Sequence, residues 1–207
     1  MTGSSVEPQA VLRYMKTAYT ESPMPGIDDT LPFVSLGIAV LTVSDTRSLD
    51  EDKSGATLAE RLTKAGHRLA DRAIVTDDVG AIRGKVQGWI ADPTLDVVIT
   101  TGGTGFTGRD VTPEAIEPLF DKRMEGFSAV FHRISYDKIG TSTIQSRATA
   151  GVIGTTFVFV LPGSPGACKD AWDGILSMQL DYSYRPCNFV EIMPRLDEHL
   201  KRGKLQA

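Results

Sequence analysis

Residues 96–110 read Asp-Val-Val-Ile-Thr-Thr-Gly-Gly-Thr-Gly-Phe-Thr-Gly-Arg-Asp, an apolar, β-branched run that empties directly into a turn of small residues. Val97, Val98 and Ile99 do not alternate with polar residues, which is the pattern of a strand covered on both faces in a parallel sheet. Gly102, Gly103, Gly105 and Gly108 then remove side chains where a backbone could approach a ligand, and Thr101, Thr104 and Thr107 add hydroxyls. N–H groups freed by such a turn suit phosphate oxygens. The turn lacks the Gly-Lys-Ser/Thr ending of a P-loop. Gly103, Gly105 and Gly108 do match the G-x-G-x-x-G spacing of dinucleotide sites. However, Arg-Asp-Val-Thr-Pro stands before any helix and no strand ending in an acidic ribose ligand follows about 20 residues on, so the spacing alone does not make such a site.

Strand and helix patterns alternate outward from this stretch. Upstream, Leu36, Ile38, Val40, Leu41 and Val43 predict a strand ending at Ser44-Asp45, and residues 69–75 a second ending at Thr76-Asp77-Asp78. Between them the charges of residues 50–53 suggest an exposed loop. Ser54 and Gly55 open a helix with Leu58, Leu62 and Ala65 on one face, closed by Gly66. A helix near residues 80–91 carries Ile82, Val86, Trp89 and Ile90 at core-facing spacing and stops at Asp92-Pro93. Downstream, Thr112 is placed to N-cap a short helix with Pro113 at its first position. Phe127, Val130, Phe131 and Ile134 mark a further helix after Gly126, and residues 140–147 read as a polar loop. Residues 156–161 form the last strong strand and empty into Pro-Gly-Ser-Pro-Gly at 162–166. A closing helix carries Ala167, Ala171, Ile175 and Met178, with Trp172, Leu176 and Leu180 alongside. The sum is an α/β domain with a mostly parallel sheet, expected over residues 33–207. It is preceded by a flexible arm, residues 1–32, punctuated by Pro8, Pro23, Pro25 and Pro32, in which residues 10–19 could form a short helix on a partner surface.

Composition narrows the classes of function. The 207 residues suit one domain, and 41% hydrophobic with 23% charged content is ordinary for a globular chain. No apolar run approaches the roughly 18 residues of a membrane span. A net charge of −4 argues against general nucleic-acid binding. The first residues lack an apolar signal core, so a cytoplasmic location is expected. Cys168 and Cys187 give neither a disulfide framework nor zinc spacing. His67, His132 and His199 are scattered and are expected at the surface or half-buried.

Open parallel sheets bind ligands outside the carboxyl ends of their strands. Four strand ends here deliver Ser44 and Asp45, Asp77 and Asp78, the loop from Gly102 to Asp110, and Pro162, Gly163 and Ser164 to one rim. A phosphate-sized cradle beside several carboxylates, with no nucleophile next to a histidine, suits Mg²⁺-nucleotide binding, because Mg²⁺ takes one or two carboxylates and completes its shell with phosphate and water. Each piece also has a plainer reading: Asp45 as a turn cap, Asp77 or Asp78 as a lead-in to the next helix, Asp110 as a turn residue, Gly163 and Pro165 as shapers of a strand-to-helix turn.

Thr-Gly-Gly-Thr-Gly at 101–105, Arg-Asp-Val-Thr-Pro-Glu-Ala at 109–115, Val-Ser-Asp at 43–45, Lys-Ser-Gly at 53–55, Ser146-Arg147 and Leu-Pro-Gly-Ser-Pro at 161–165 closely resemble, in order, the MoaB/Mog family of molybdenum-cofactor biosynthesis proteins. The resemblance spans about residues 36–190. Residues 140–147 and Arg-Pro-Cys-Asn-Phe at 185–189 look like the MoaB branch. It implies a three-layer α/β/α fold, assembly as trimers or hexamers, and adenylylation of molybdopterin by Mg-ATP with release of pyrophosphate. The alternative is a catalytically silent carrier of molybdopterin, with other proteins of the pathway as further partners. Carried over by position, Asp45, Asp78 and Asp110 match the acidic active-site positions, with Asp77 adjacent to Asp78. Thr101, Gly102, Gly103, Thr104 and Gly105, with Pro162, Gly163 and Ser164, match the phosphate- and nucleotide-contacting segments, and Ser146 and Arg147 the pterin side. In this scheme Asp45 and Asp110 hold Mg²⁺, while loop amides with Arg147 or Arg109 offset phosphate charge.

Overall fold

The computed structural model describes residues 25–198, so the arm reading of residues 1–24, the short helix at 10–19 included, and His199 lie outside the described residues. In chain order the strands are β1 (Gly26–Ile27), β2 (Gly37–Val43), β3 (Arg68–Val75), β4 (Val97–Thr101), β5 (Lys122–Arg123), β6 (Thr149–Ile153), β7 (Thr156–Leu161) and β8 (Tyr184–Arg185). The helices are α1 (Lys53–Lys64), α2 (Val79–Ile90), α3 (Thr112–Ile116), α4 (Glu125–Ile139), α5 (Pro165–Ala171) and α6 (Phe189–Ile192). Six strands form one sheet in the order β3-β2-β4-β7-β6-β5. The first four run parallel, while β6 is antiparallel to both β7 and β5.

Strand periodicity explains the unbroken apolar runs. Ile38, Val40, Val97, Ile99, Phe157, Phe159 and Leu161 point to one face, where α1 brings Leu58 and Leu62, α4 brings Phe127 and Phe131, and the α5 segment brings Trp172 and Leu176. Ala39, Leu41, Val43, Val98, Val158 and Val160 point to the other, against Ile82, Val86 and Trp89 of α2 and Ala115 and Ile116 of α3. Helices thus cover both faces, and the architecture is a three-layer α/β/α sandwich. Among the described residues no helix is long and apolar enough to cross a membrane.

Several expectations change. Ordered backbone precedes residue 33, since β1 pairs with β8 through Gly26 opposite Arg185 and Ile27 opposite Tyr184. The Ala/Gly/Val segment before the last strong strand is itself a strand, β6, joined to β7 by a two-residue turn at Gly154-Thr155. Ala150 and Gly151 carry little β-propensity, but a side chain at Gly151 would stand 2.4 Å from the Phe120 ring; packing overrides propensity there. In the closing helix, which contains a π turn at Trp172–Leu176, Ala171 and Ile175 of the expected stripe are buried along with Cys168, Trp172, Leu176 and Leu180, while Ala167 and Met178 are only partly covered. Val130 of α4 is exposed rather than core-facing. Thr112 is not a cap: Val111 holds the N-cap position, and the buried Thr112 hydroxyl donates to the Gly102 carbonyl at 2.8 Å. His67 is buried, its Nδ1 accepting the Leu36 N–H at 3.2 Å, and burial pushes its pKa down.

Candidate active site

Because β3, β2, β4 and β7 are adjacent and parallel, their C-terminal ends share one rim. The glycine loop after β4 is fitted to its neighbours first. Gly102 has φ +103°, its N–H donates to the Leu161 carbonyl at 3.1 Å, and a side chain there would lie 2.2 Å from the Val43 carbonyl oxygen. Gly103 has φ +62°, and a side chain there would meet the Thr112 hydroxyl at 2.3 Å and an Asp77 carboxylate oxygen at 2.7 Å. A side chain at Gly163 would press on the Gly102 Cα at 3.0 Å. The missing side chains of Gly102, Gly103 and Gly163 therefore let four strand ends close on one another, whereas the sequence suggested room for a ligand. Gly108 does face open space.

The rim carboxylates divide into two groups. Asp78 is exposed and caps α2, accepting the Ala81 N–H at 2.8 Å. Asp77, its neighbour, turns toward the loop. Burial first, then the charges of Asp45 and Asp110, hold the Asp77 carboxyl above the usual carboxylate range, and Arg109 opposes them only in part. Asp45 accepts from the Arg109 guanidinium and, at 3.1 Å, from the Asp77 N–H, and both lower its pKa. Asp110 closes the loop on itself, its carboxylate accepting from the Thr107 hydroxyl at 2.5 Å and the Thr107 N–H at 2.9 Å; these bonds outweigh its desolvation and hold its pKa down. The structure thus brings Asp45, Asp77 and Asp110 together and commits Asp78 to the helix terminus. The sequence signal for that split was available, since Asp78 stands three residues before Ala81 at the start of a helical pattern, where N-caps sit.

The other expected residues occupy the same edge in different states. The buried Thr101 hydroxyl donates to the Pro162 carbonyl at 2.9 Å, and Thr104 is buried as well. The Gly163 carbonyl accepts from the Ser54 hydroxyl at 3.1 Å and from Arg47 at 3.4 Å. Ser164 caps α5, accepting the Ala167 N–H at 3.1 Å, and Ser44 accepts the Arg47 N–H at 3.3 Å. Ser146 donates to the Thr143 carbonyl at 3.1 Å. Arg147 is tied to the glycine loop: its backbone N–H and Nε donate to the Thr104 carbonyl at 3.1 and 3.2 Å, one terminal nitrogen to the Asp110 carbonyl at 2.9 Å, and the other to Glu114.

One acidic residue behaves contrary to expectation. Asp52, read as part of an exposed charged loop, is 1% exposed. It caps α1 by accepting the Gly55 N–H at 2.9 Å, and it also accepts from the Thr42 hydroxyl at 2.7 Å and Arg72 at 2.9 Å. The Asp-x-x-Gly spacing ahead of a helix was the legible hint, but nothing local announces that Arg72 arrives from β3. A buried thiol, Cys168, lies 3.2 Å from the Thr101 hydroxyl beneath the rim, and burial pushes its pKa up to about 11, so it is not a nucleophile near neutral pH.

Among the described residues no three His, Cys, Asp or Glu side chains converge closely enough to hold a metal ion by themselves. Asp77, whose pKa is raised by burial and then by the charges of Asp45 and Asp110, is nevertheless the kind of group a cation would relieve. A Mg²⁺ held by one or two of these carboxylates and completed by phosphate oxygens and water fits this donor set.

A family described as "probable molybdopterin binding domain" matches residues 39–182. Molybdenum cofactor biosynthesis protein B of Escherichia coli (strain K12) is 50% identical over 157 residues, covering 76% of this chain and 92% of that protein. A crystal structure of molybdenum cofactor biosynthesis protein B superposes with a TM-score of 0.73 at 38% identity, covering 81% of this chain and 99% of the other. The crystal structure of the tungsten cofactor synthesizing protein MoaB from Pyrococcus furiosus gives a TM-score of 0.63 at 42% identity, with 71% and 93% covered.

Proposed function

The chain belongs to the molybdopterin-binding family of the MoaB and Mog proteins, and from that premise we propose that it serves molybdenum cofactor biosynthesis as a molybdopterin adenylyltransferase. An oxygen of the terminal phosphate of molybdopterin forms a bond to the α-phosphorus of ATP, the bond from that phosphorus to the bridging oxygen of the β-phosphate breaks, and pyrophosphate leaves. The attacking phosphate is already anionic near neutral pH, so no general base is needed. This accords with a rim that, among the described residues, pairs no nucleophile with a histidine. The residues have two tasks, to align two polyanions and to manage charge. Bound Mg²⁺ supplies charge neutralisation on the phosphate oxygens. One or two of Asp45, Asp77 and Asp110 would hold it, and Arg109, paired with Asp45 at the exposed rim, would turn toward phosphate.

The observation that carries this reading is the gathering of Asp45, Asp77 and Asp110 about the glycine loop, where Asp45 accepts the Asp77 N–H and carboxylate oxygens of Asp77 and Asp110 stand beside Gly103 and Gly105, because like charges collected at one site are what a cation and its phosphates would relieve. The carrier alternative draws on a different observation: Asp45 is already closed by Arg109. Incubation with Mg-ATP and molybdopterin decides between them. The transferase gives pyrophosphate and adenylyl-molybdopterin, whereas tight pterin binding without product identifies the carrier.

Self-association as a trimer or hexamer is part of the same proposal. It draws on the family and on a cleft of about 430 Å³ at the end of the sandwich away from the rim, lined largely by apolar side chains including Met124, Phe127, Ile175, Met178 and Phe189. Sedimentation at micromolar concentration should show an oligomer, and a monomer alone would refute it.

A further inference from the structure

Phe106 stands out in a loop of glycine and threonine because its side chain belongs to neither core and is 70% exposed. Its neighbours are nonetheless held in place. Thr104 is buried, Thr107 is bonded to Asp110 through both hydroxyl and N–H, and the Arg147 guanidinium lies 5.4 Å from the centre of the Phe106 ring. That guanidinium is not free to wander, since the Thr104 and Asp110 carbonyls and Glu114 all accept from it. A side chain so committed is poorly placed to follow a phosphate. It is well placed to back an aromatic ring, because a cation is attracted to the ring's electron-rich side.

We propose that Phe106 presents a stacking face for the flat heterocycle of a substrate, with Arg147 as the positioning residue behind it. The inference rests on the function proposed above and names the part of the rim that would receive a ring. The carboxylates and Arg109 deal with phosphates and metal, and a pterin or a purine also needs an apolar plane against which to lie. A rigid phenyl group offers one with few rotamers to freeze. The shared chemistry is a planar nitrogen heterocycle, and its two sources are the pterin of molybdopterin and the adenine of ATP.

Phe106→Ala and Phe106→Trp in the full chain, with anaerobic molybdopterin and Mg-ATP titrated separately by calorimetry, test this directly. Phe106→Ala should weaken one of the two ligands by about tenfold or more, the usual scale for losing one stacked base, and leave the other within about twofold. Phe106→Trp should restore most of the loss. A loss in the molybdopterin arm assigns the ring to the pterin, and one in the ATP arm assigns it to adenine. Unchanged affinity for both ligands overturns the proposal. So does an equal loss of both that Trp fails to restore, since that is the mark of a damaged loop. Wild-type protein that binds the ligands but transfers no AMP would defeat the transferase reading while a selective Phe106 effect would still support the stacking face.

Discussion

The base of α1 and the rim beside it are built from the same residue type to opposite ends. At the base, Asp52 is shut away from water, and burial alone would raise its pKa, yet the Gly55 N–H, the Thr42 hydroxyl and Arg72 together bring it below the usual carboxylate range. At the rim, Asp77 is half-buried and faces two further carboxylates, and its pKa rises. One carboxylate has every partner it needs inside the protein, and the other has neighbours of its own sign. The difference teaches how to sort acids in a fold: one enclosed by donors holds elements together, and one gathered with other carboxylates at a strand end is where a functional role is to be tested.

The harshest way to break the base is Asp52→Ala. It leaves Arg72 partly buried without its counter-ion and removes the cap of α1, and losing one partner of a buried pair costs about 3 kcal/mol or more. Urea unfolding should show the midpoint falling with little change in slope, and a loss under about 1 kcal/mol would contradict the satisfied-acid account. The sign with pH follows from its depressed pKa. Asp52 contributes stability above the ordinary carboxylate value of about 3.9, and that contribution is lost as pH falls through its lower folded value.

Asp77→Asn probes the other side. Turnover should fall by about a hundredfold or more, the scale of one lost electrostatic element, while the fold should be as stable as before or more so. Here the linkage runs the opposite way. With the folded pKa raised, the native protein holds more proton than the unfolded chain between about 3.9 and that raised value, so stability drops as pH rises through the window. Asn abolishes this titration. The variant should therefore match wild type near pH 3 and pull ahead by pH 7, which chemical denaturation at several pH values would reveal. A variant less stable than wild type at pH 7 would show that Asp77 is part of the scaffold.

Much of the fold was legible from period alone, because the strands that matter are buried on both faces and the helices carry clean stripes. Position of the rim followed from parallel topology. Where reading failed, the cause was a partner distant in sequence. Asp52 looked exposed because Arg72 stands 20 residues away on β3, and β6 looked like a connector because what fixes Gly151 is the ring of Phe120. At the site, the local spacing to Ala81 marks Asp78 as the cap of α2, but that Asp77 meets Gly103 of the loop after β4 depends on a partner distant in sequence. Gly102 and Gly103 were recognisable as special, but their clashes are with Val43, Thr112 and Asp77, contacts that exist only after three strand ends have met.

Arg109→Gln should produce the smallest change in stability and the finest resolution of the comparison. The Arg109 side chain is 71% exposed, so solvent screens its pair with Asp45, and the melting temperature should scarcely move. Its effect on ligand binding depends on what the guanidinium does when nucleotide arrives. At the rim it lowers the pKa of Asp45 and tempers the charge that Asp77 feels, the part a cation would also play. Removing it leaves three carboxylates with less to offset them, so Mg²⁺ should support nucleotide binding at a lower concentration than in wild type, by a factor of a few. If the freed guanidinium then moves onto phosphate, turnover at saturating Mg-ATP should fall in Arg109→Gln and recover in part with Arg109→Lys, which restores charge without the planar fork. Unchanged turnover with a lowered Mg²⁺ requirement would limit Arg109 to offsetting the carboxylates, while an unchanged Mg²⁺ requirement would show that Asp45 is not a residue the metal uses.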